Sequence, residues 1–323
     1  MKVVLPTLNT LITDNIQIAS EIICGGGLVA MPTETVYGLA GDATCDQAIA
    51  KIFAAKNRPT FNPLIIHVAN SGAAQNFAVW NDRAQKLAAQ FWPGPITMVL
   101  PQQSNSPISK LASAGLNTIA IRVPAHPMAL QLLQACGKPL AAPSANKSGD
   151  ISPTDPRHVQ KSLGDSINSI LDGGPCRIGL ESTVIDLTSG QSVISRLGGL
   201  SIDAIRQCIG DVAMFDQSAD QPIKSPGQLL RHYAPSIPLR IGCDNPQPNE
   251  ALLAFGPNAP NGFKTVLNLS VDSDLIAAAA NLYKFMHQLD DTQYSGIATM
   301  PIPQSGLGLA INDRLIRAAR GRA

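Results

Sequence analysis

The chain has 323 residues, with 24 Lys plus Arg against 23 Asp plus Glu and six cysteines. That length exceeds one ordinary core and predicts two domains, and a formal net charge of +1 argues against bulk electrostatic binding of nucleic acid while leaving room for a local basic pocket. Cys24, Cys45, Cys136, Cys176, Cys208 and Cys243 form neither a Cys-x-x-Cys pair nor a zinc spacing, so they read as reduced, buried thiols of a cytosolic protein.

Lys2 is followed by Pro6, Asn9, Thr10 and Asp14, which leaves no apolar stretch of signal-peptide length. No later apolar run approaches a membrane span. A soluble, cytoplasmic protein with no membrane partner is expected. From Asp14 to Cys24, Ile16, Ala19 and Ile23 recur at helical spacing until Gly25-Gly26-Gly27 ends the segment. Those glycines fit no phosphate-loop or dinucleotide pattern.

The stretch from Met31 to Val68 sets three polar clusters between apolar segments. Pro32-Thr33-Glu34-Thr35-Val36-Tyr37-Gly38-Leu39 follows a strand-like Leu28–Met31. Lys56-Asn57-Arg58-Pro59 and Asn62-Pro63 follow a helix expected over Asp46–Ala55. His67 ends the β-branched run Leu64–Val68. Strand ends and the turns after them are where α/β proteins hold ligands, so three such ends predict one pocket. Pro59 and Pro63 keep Arg58 and Asn62 on extended or turn backbone. Lys56, Arg58 and Asn62 together suit a polyanion such as a triphosphate, while the same cations also suit a helix C-terminus. His67 fits a structural histidine as well as a ligand, and Thr33-Glu34-Thr35 fits an N-cap cluster.

A helix over Asn81–Trp92 and a strand over Ile96–Leu100 come next. Asn117–Val123 alternates so that Thr118 and Arg122 share a face, on pattern alone a solvated edge. A helix over His126–Cys136 leads to Pro139–Asn146, where small residues permit close approach to a ligand. Ser144 and Asn146 could bind phosphate oxygens there, or satisfy their own turn. No Gly-x-Ser-x-Gly elbow surrounds Ser144. Ser152 offers a further phosphate or ribose contact. Strands at Ile167–Leu171, Ser182–Leu187 and Val193–Leu197 bring Ser182 and Arg196 toward one cleft, though a strand-start hydroxyl and a surface charge fit equally. A helix at Ser201–Ile209 closes this part.

The segment 211–238 is rich in Pro, Gly, Gln and Ser and reads as a linker, yet it carries Arg231-His232-Tyr233. Strands at Leu239–Gly242, Leu252–Phe255, Val266–Leu269 and Ile297–Pro301 then alternate with helices near Asp274–Leu289 and Leu309–Arg320. That alternation predicts a small parallel sheet covered by helices.

Taken together, the clusters of the Met31–Val68 stretch resemble the threonylcarbamoyl-AMP synthase family, the YrdC-like proteins. The resemblance continues through Phe91-Trp92-Pro93-Gly94-Pro95-Ile96-Thr97, Ile121-Arg122-Val123-Pro124, His126-Pro127 and Ala142-Pro143-Ser144-Ala145-Asn146. It runs on through Asp172-Gly173-Gly174, Glu181-Ser182-Thr183-Val184, Arg196, Ser225-Pro226-Gly227 and His232-Tyr233-Ala234-Pro235, to Gly306-Leu307-Gly308-Leu309-Ala310-Ile311-Asn312-Asp313-Arg314-Leu315. It covers nearly the whole chain and matches the family's long form.

The resemblance implies an α/β fold: a twisted mixed-sheet YrdC-like catalytic domain at residues 1–210, a linker at 211–238 crossing the cleft, and a smaller Rossmann-like parallel α/β domain at 239–323. It implies synthesis of threonylcarbamoyl-AMP and pyrophosphate from L-threonine, bicarbonate or CO2, and ATP, for modification of adenosine in tRNA. Thr33, His67, Arg122, Ala142 and Ser182 are then expected to hold threonine. Arg58, Asn62, Thr118, Ser144, Ser152, Arg196 and Tyr233 are expected to hold ATP, and Lys56, Arg58, Ser144 and Asn146 to act on its phosphates. Mg2+ is expected to travel with the triphosphate, since the sequence offers no dedicated carboxylate cage. tRNA and later tRNA-modification proteins are possible partners. Two alternatives remain: an RNA-binding module, and carbamoyl-adenylate chemistry on another acceptor.

Overall fold

Short polar side chains cap the starts of several helices. The computed structural model describes residues 10–215, 232–243 and 245–321. Its first helix, α1 (Ile16–Cys24), begins after Asn15, whose side chain accepts from the amides of Gln17 and Ile18. The next, α2 (Asp46–Lys56), ends on Asn57 in the left-handed region at φ 51°. That residue ends the helix and turns the chain toward Arg58. Further on, the short α3 (Ser71–Gln75) is capped by Asn70 and α4 (Asp82–Phe91) by Asn81, and α5 (Pro127–Cys136) has Pro at its first position and Gly137 at φ 61° beyond its end.

The first sheet has eleven strands in the order β1-β8-β2-β3-β7-β4-β6-β5-β9-β10-β11. In chain order these are β1 (Leu11–Thr13), β2 (Val29–Met31), β3 (Gly38–Asp42), β4 (Ile65–His67), β5 (Ile96–Pro101), β6 (Thr118–Arg122), β7 (Leu140–Ala141), β8 (Ser169–Leu171), β9 (Thr183–Asp186), β10 (Val193–Arg196) and β11 (Ala213–Met214). The pairing is mixed: β4 and β6 are parallel, whereas β3 and β4 both run antiparallel to β7. Alternate residues feed opposite faces, as strand geometry requires. Leu28, Ala30 and Leu39 join one core with Ile49 and Ile52 of α2, while Val29, Met31 and Ala40 join another with Leu132 and Leu133 of α5.

The second sheet has the order β12-β15-β13-β14 and is wholly parallel. Its strands are β12 (Leu239–Arg240), β13 (Ala251–Ala254), β14 (Thr265–Asn268) and β15 (Ile297–Thr299), with α8 (Leu275–Leu289) and α9 (Gly308–Ala319) beside them. Val36, Ile151 and Leu180 from the first part of the chain lie in one apolar cluster with Leu282, Tyr283 and Leu315. The two parts therefore share buried surface. At Gly179, φ 74°, a Cβ would come within 2.7 Å of the α8 backbone at Ala280, so only glycine fits that approach.

The sequence pattern anticipates neither β3 nor α6 (Pro156–Leu163), whereas α7 (Ile202–Ile209) lies where a helix is expected. Of the six cysteines expected to be buried, Cys136 and Cys176 are; Cys24 is exposed, and Cys45, Cys208 and Cys243 are partly exposed, since they sit at helix ends and loops rather than on core-facing positions. The Gly-Leu-Ala-Gly-Asp run of β3 lacks β-branched residues because its neighbours lie so close: a Cβ on Gly38 would sit 3.1 Å from that of Ala142. Of the expected linker, residues 232–238 are described, and Ala234 pairs with Asp150 in a parallel bridge. Ser225–Gly227 and Arg231 lie outside the described residues.

Candidate active site

Adjacent strands bring the polar clusters to one hollow of about 590 Å³, counting the space at its mouth. Its wall includes Thr33, Arg58, His67, Arg122, Ala142, Ser144, Ser182, Arg196 and Tyr233. Register explains part of this. Because β4 and β6 are parallel neighbours with His67 opposite Arg122, both side chains leave the same sheet end.

Thr33 organises the turn after β2. Its hydroxyl accepts from the amides of Thr35 and Val36 and donates to the carbonyl of Val36 at 2.6 Å. This turn carries Glu34 inward to Arg122, where Nη2 meets Oε1 at 2.6 Å with both side chains only 4% exposed. The other carboxylate oxygen accepts from the Ala125 amide, and Arg122 Nε donates to the carbonyl of Gly94. Arginine has five donors, so Arg122 retains several for a ligand carboxylate.

His67 is 3% exposed and its Nδ1 has no hydrogen-bond partner. Burial, reinforced by the charge of Arg122, pushes its pKa down to about 3. The ring is neutral at ordinary pH and presents an acceptor or a donor without a charge.

Arg58 and Arg196 form the basic wall. Arg58 donates to the carbonyls of Asn62 and Pro63, which fixes it to its own loop. Burial and then repulsion from Arg196 lower its pKa to about 10. Arg196 donates to the carbonyl of Ser182 at 2.9 Å and to its hydroxyl at 3.0 Å, and Thr97 shares a 2.7 Å hydrogen bond with that hydroxyl. Two cations, Arg58 half-buried and Arg196 buried, that repel each other in the wall of one cavity favour an anion between them.

Glu181 also faces the hollow. Burial opposes its ionisation, but Arg314 and Arg196 outweigh that and bring its pKa down to about 2. Tyr233, at φ 66°, is buried with its ring under the Arg314 guanidinium at 4.9 Å and stacked on Tyr283. His232 beside it is half-buried, and desolvation pushes its pKa down to about 3.

The family model described as "Telomere recombination", Sua5/YciO/YrdC, matches residues 21–198, and the one described as "Threonylcarbamoyl-AMP synthase, C-terminal domain" matches residues 200–320. The chain is 40% identical to the threonylcarbamoyl-AMP synthase of Pyrococcus abyssi over 322 residues, covering 94% of each. This chain belongs to the threonylcarbamoyl-AMP synthase family. It is also 37% identical to the Bacillus subtilis threonylcarbamoyl-AMP synthase, covering 94% of this chain and 92% of the relative. The crystal structure of P. abyssi Sua5 complexed with L-threonine superposes with a TM-score of 0.88 at 36% identity, covering 96% of this chain and 97% of that one.

Within this threonylcarbamoyl-AMP synthase fold, several expected site residues stand behind the cavity wall rather than in it. Lys56 is buried, and its ammonium donates to the carbonyls of Ser144 and Asn146. Burial and then Arg58 push its pKa well below the usual lysine value. Asn146 uses its amide nitrogen on the carbonyls of Lys147 and Asp150. The Lys56–Asn146 pair therefore braces the loop that offers Ser144. Asn62 gives its carbonyl to Arg58, and its buried Oδ1 has no partner. Ser152 is fully buried and donates to Glu181 at 2.6 Å. Thr118 pairs with Pro101 at the other end of β6 from Arg122, about 13 Å away along an extended strand.

Glu34, Glu181 and His232 escape sequence reasoning as site residues. The partners of the two glutamates lie 88 and 133 residues away, and no local spacing announces them. His232 stands beside Tyr233 in an aromatic and basic cluster and in a string that resembles the family, and neither signal by itself assigns it to the site.

Proposed function

We propose that this chain makes threonylcarbamoyl-AMP from L-threonine, bicarbonate or CO2, and ATP, releasing pyrophosphate. The observation that carries the reading is the meeting of two mutually repelling arginines, Arg58 and Arg196, with Arg122, His67 and Thr33 around one hollow. A triphosphate and an amino-acid carboxylate match those two cationic regions.

Arg122, already oriented by Glu34, binds the threonine carboxylate, while Thr33, His67, Ala142 and Ser182 surround the remainder. Arg58, Ser144, Arg196 and Tyr233 take the nucleotide. Lys56 and Asn146 act through the Ser144 loop. Asn62 holds Arg58 in place, and Ser152 acts through Glu181. Thr118 is the member of the expected set that this placement supports least. The threonine amine adds to CO2 and loses a proton, giving a carbamate; from bicarbonate, water also leaves. A carbamate oxygen then attacks the α-phosphorus, and the bond to the β-phosphate oxygen breaks. No protein nucleophile is required, so orientation and charge stabilisation supply the rate.

Mg2+ enters with ATP as part of the substrate. Among the described residues no three His, Cys, Asp or Glu side chains form a cation cluster, and phosphate oxygens and water are the ligands such an ion ordinarily keeps. The product is a threonylcarbamoyl donor for adenosine in tRNA, with transfer carried out by other proteins, and we place the chain in the cytoplasm. Among the described residues no helix is long and apolar enough to cross a membrane.

The experiment is pyrophosphate release by the purified chain. Release that requires threonine and bicarbonate together supports the reading. Release without threonine, or none at all, removes it.

A further inference from the structure

A carboxylate in the wall of a polyanion site is a liability. Glu181 and Arg196 line the same hollow, and Arg196 is bonded to Ser182, the residue after Glu181, so its charge helps hold the pKa of the Glu181 carboxyl down. Left loose, that carboxylate would repel phosphate and draw Arg196 away from the cavity. Neither oxygen is loose. Oε2 accepts from Arg314 Nε at 2.9 Å, Oε1 from Ser152 at 2.6 Å, and the Tyr283 hydroxyl reaches both at 3.1 Å.

Arg314 and Tyr283 come from α9 and α8 beside the second sheet, and neither lines the cavity. Arg314 is wholly buried and fixed at two further points, Asp313 at 2.6 Å and the carbonyl of Leu197 at 2.6 Å. It therefore cannot follow Glu181 toward the hollow. Leu197 directly follows Arg196, and Arg196 is tied to Ser182, which directly follows Glu181. One guanidinium thus anchors both the carboxylate and the strand end that presents the cation.

We propose that Arg314 and Tyr283 are positioning residues that keep Glu181 away from Arg196. The C-terminal part of the chain would thereby set the nucleotide affinity of a cavity whose wall it does not line. This deepens the ATP reading given above and rests on it.

The test is ATP and threonine binding, each titrated calorimetrically on the full chain. Arg314→Gln is expected to weaken ATP roughly ten-fold or more, because the buried carboxylate, left without its ion partner, turns to Arg196, while threonine affinity stays within about two-fold. Adding Glu181→Gln to that variant removes the stray charge and is expected to restore ATP affinity to within about three-fold of the unmodified chain. A packing role alone gives no such rescue, so a double variant as weak as Arg314→Gln overturns the proposal. Tyr283→Phe, a milder change, is expected to weaken ATP about two- to five-fold. If Arg314→Gln does not fold, Tyr283→Phe decides, and unchanged ATP affinity there overturns the proposal. An unmodified chain that binds no ATP sinks the functional reading instead, which separates the two failures.

Discussion

Two buried arginine–glutamate pairs flank the cavity with opposite polarity. In Arg122–Glu34 the cation faces the hollow and the carboxylate stands behind it; in Glu181–Arg314 the carboxylate faces inward and the cation stands behind. The first pair belongs to the large sheet alone. The second joins the large sheet to the small one. A cation backed by a carboxylate is an aimed receptor for an anion, whereas a carboxylate backed by a cation has been neutralised where it stands. On the proposed reading, the same ion pair serves recognition in one place and restraint in the other.

The largest expected effect comes from breaking the aimed pair. Arg122→Met leaves Glu34 buried with its ion partner gone and is expected to destabilise the chain by about 3–5 kcal/mol, with threonine binding lost. Urea unfolding and a threonine titration read the two parts, and a stable variant that still binds threonine would remove Arg122 from its role. Next is Arg58→Ala, which touches neither pair. Losing a charged fork to phosphate, about 1.5–3 kcal/mol, should weaken ATP about 10- to 100-fold with little loss of stability. Unchanged ATP affinity would refute the basic wall.

Sequence legibility follows the same division. Arg58, His67, Arg122, Ser144, Ser182 and Arg196 each end or follow a segment with a visible period, but that pattern fits helix-end charges, turns and strand edges equally well, and the family resemblance is what singles them out. Glu181 could not be picked out, because its meaning depends on Arg314 and Tyr283 more than a hundred residues later. Lys56 was legible as a buried-helix-end cation but not as a brace, since its partners are backbone carbonyls that any sequence supplies. The alternation after residue 239 anticipated the parallel sheet, while β3 stayed hidden because its glycines are demanded by packing rather than by strand propensity.

A smaller effect sharpens the contact between the two sheets. His158 and His287 stack at 3.8 Å between α6 and α8, facing Asp155, Arg157 and Lys161. Burial pushes their pKa values down to about 4 and about 3 respectively. The unfolded chain therefore takes up protons that the fold refuses, so stability is full above about pH 6.5 and falls as pH drops toward 4. His287→Gln should reduce that slope by about 1.4 kcal/mol per pH unit; an unaltered slope in urea midpoints between pH 7 and pH 4 would contradict the assignment. The smallest effect is Ser152→Ala. It removes one hydroxyl from Glu181 and should lower stability by about 1 kcal/mol, with ATP affinity weakened less than in Tyr283→Phe.

The most direct trial of a single cavity serving both substrates is mass spectrometry of the reaction product. The purified chain is supplied with ATP, 15N-threonine and 13C-bicarbonate. One adenylate carrying both labels is the expected species. AMP alone, or an adenylate lacking either label, would contradict the joining of the two halves in one site.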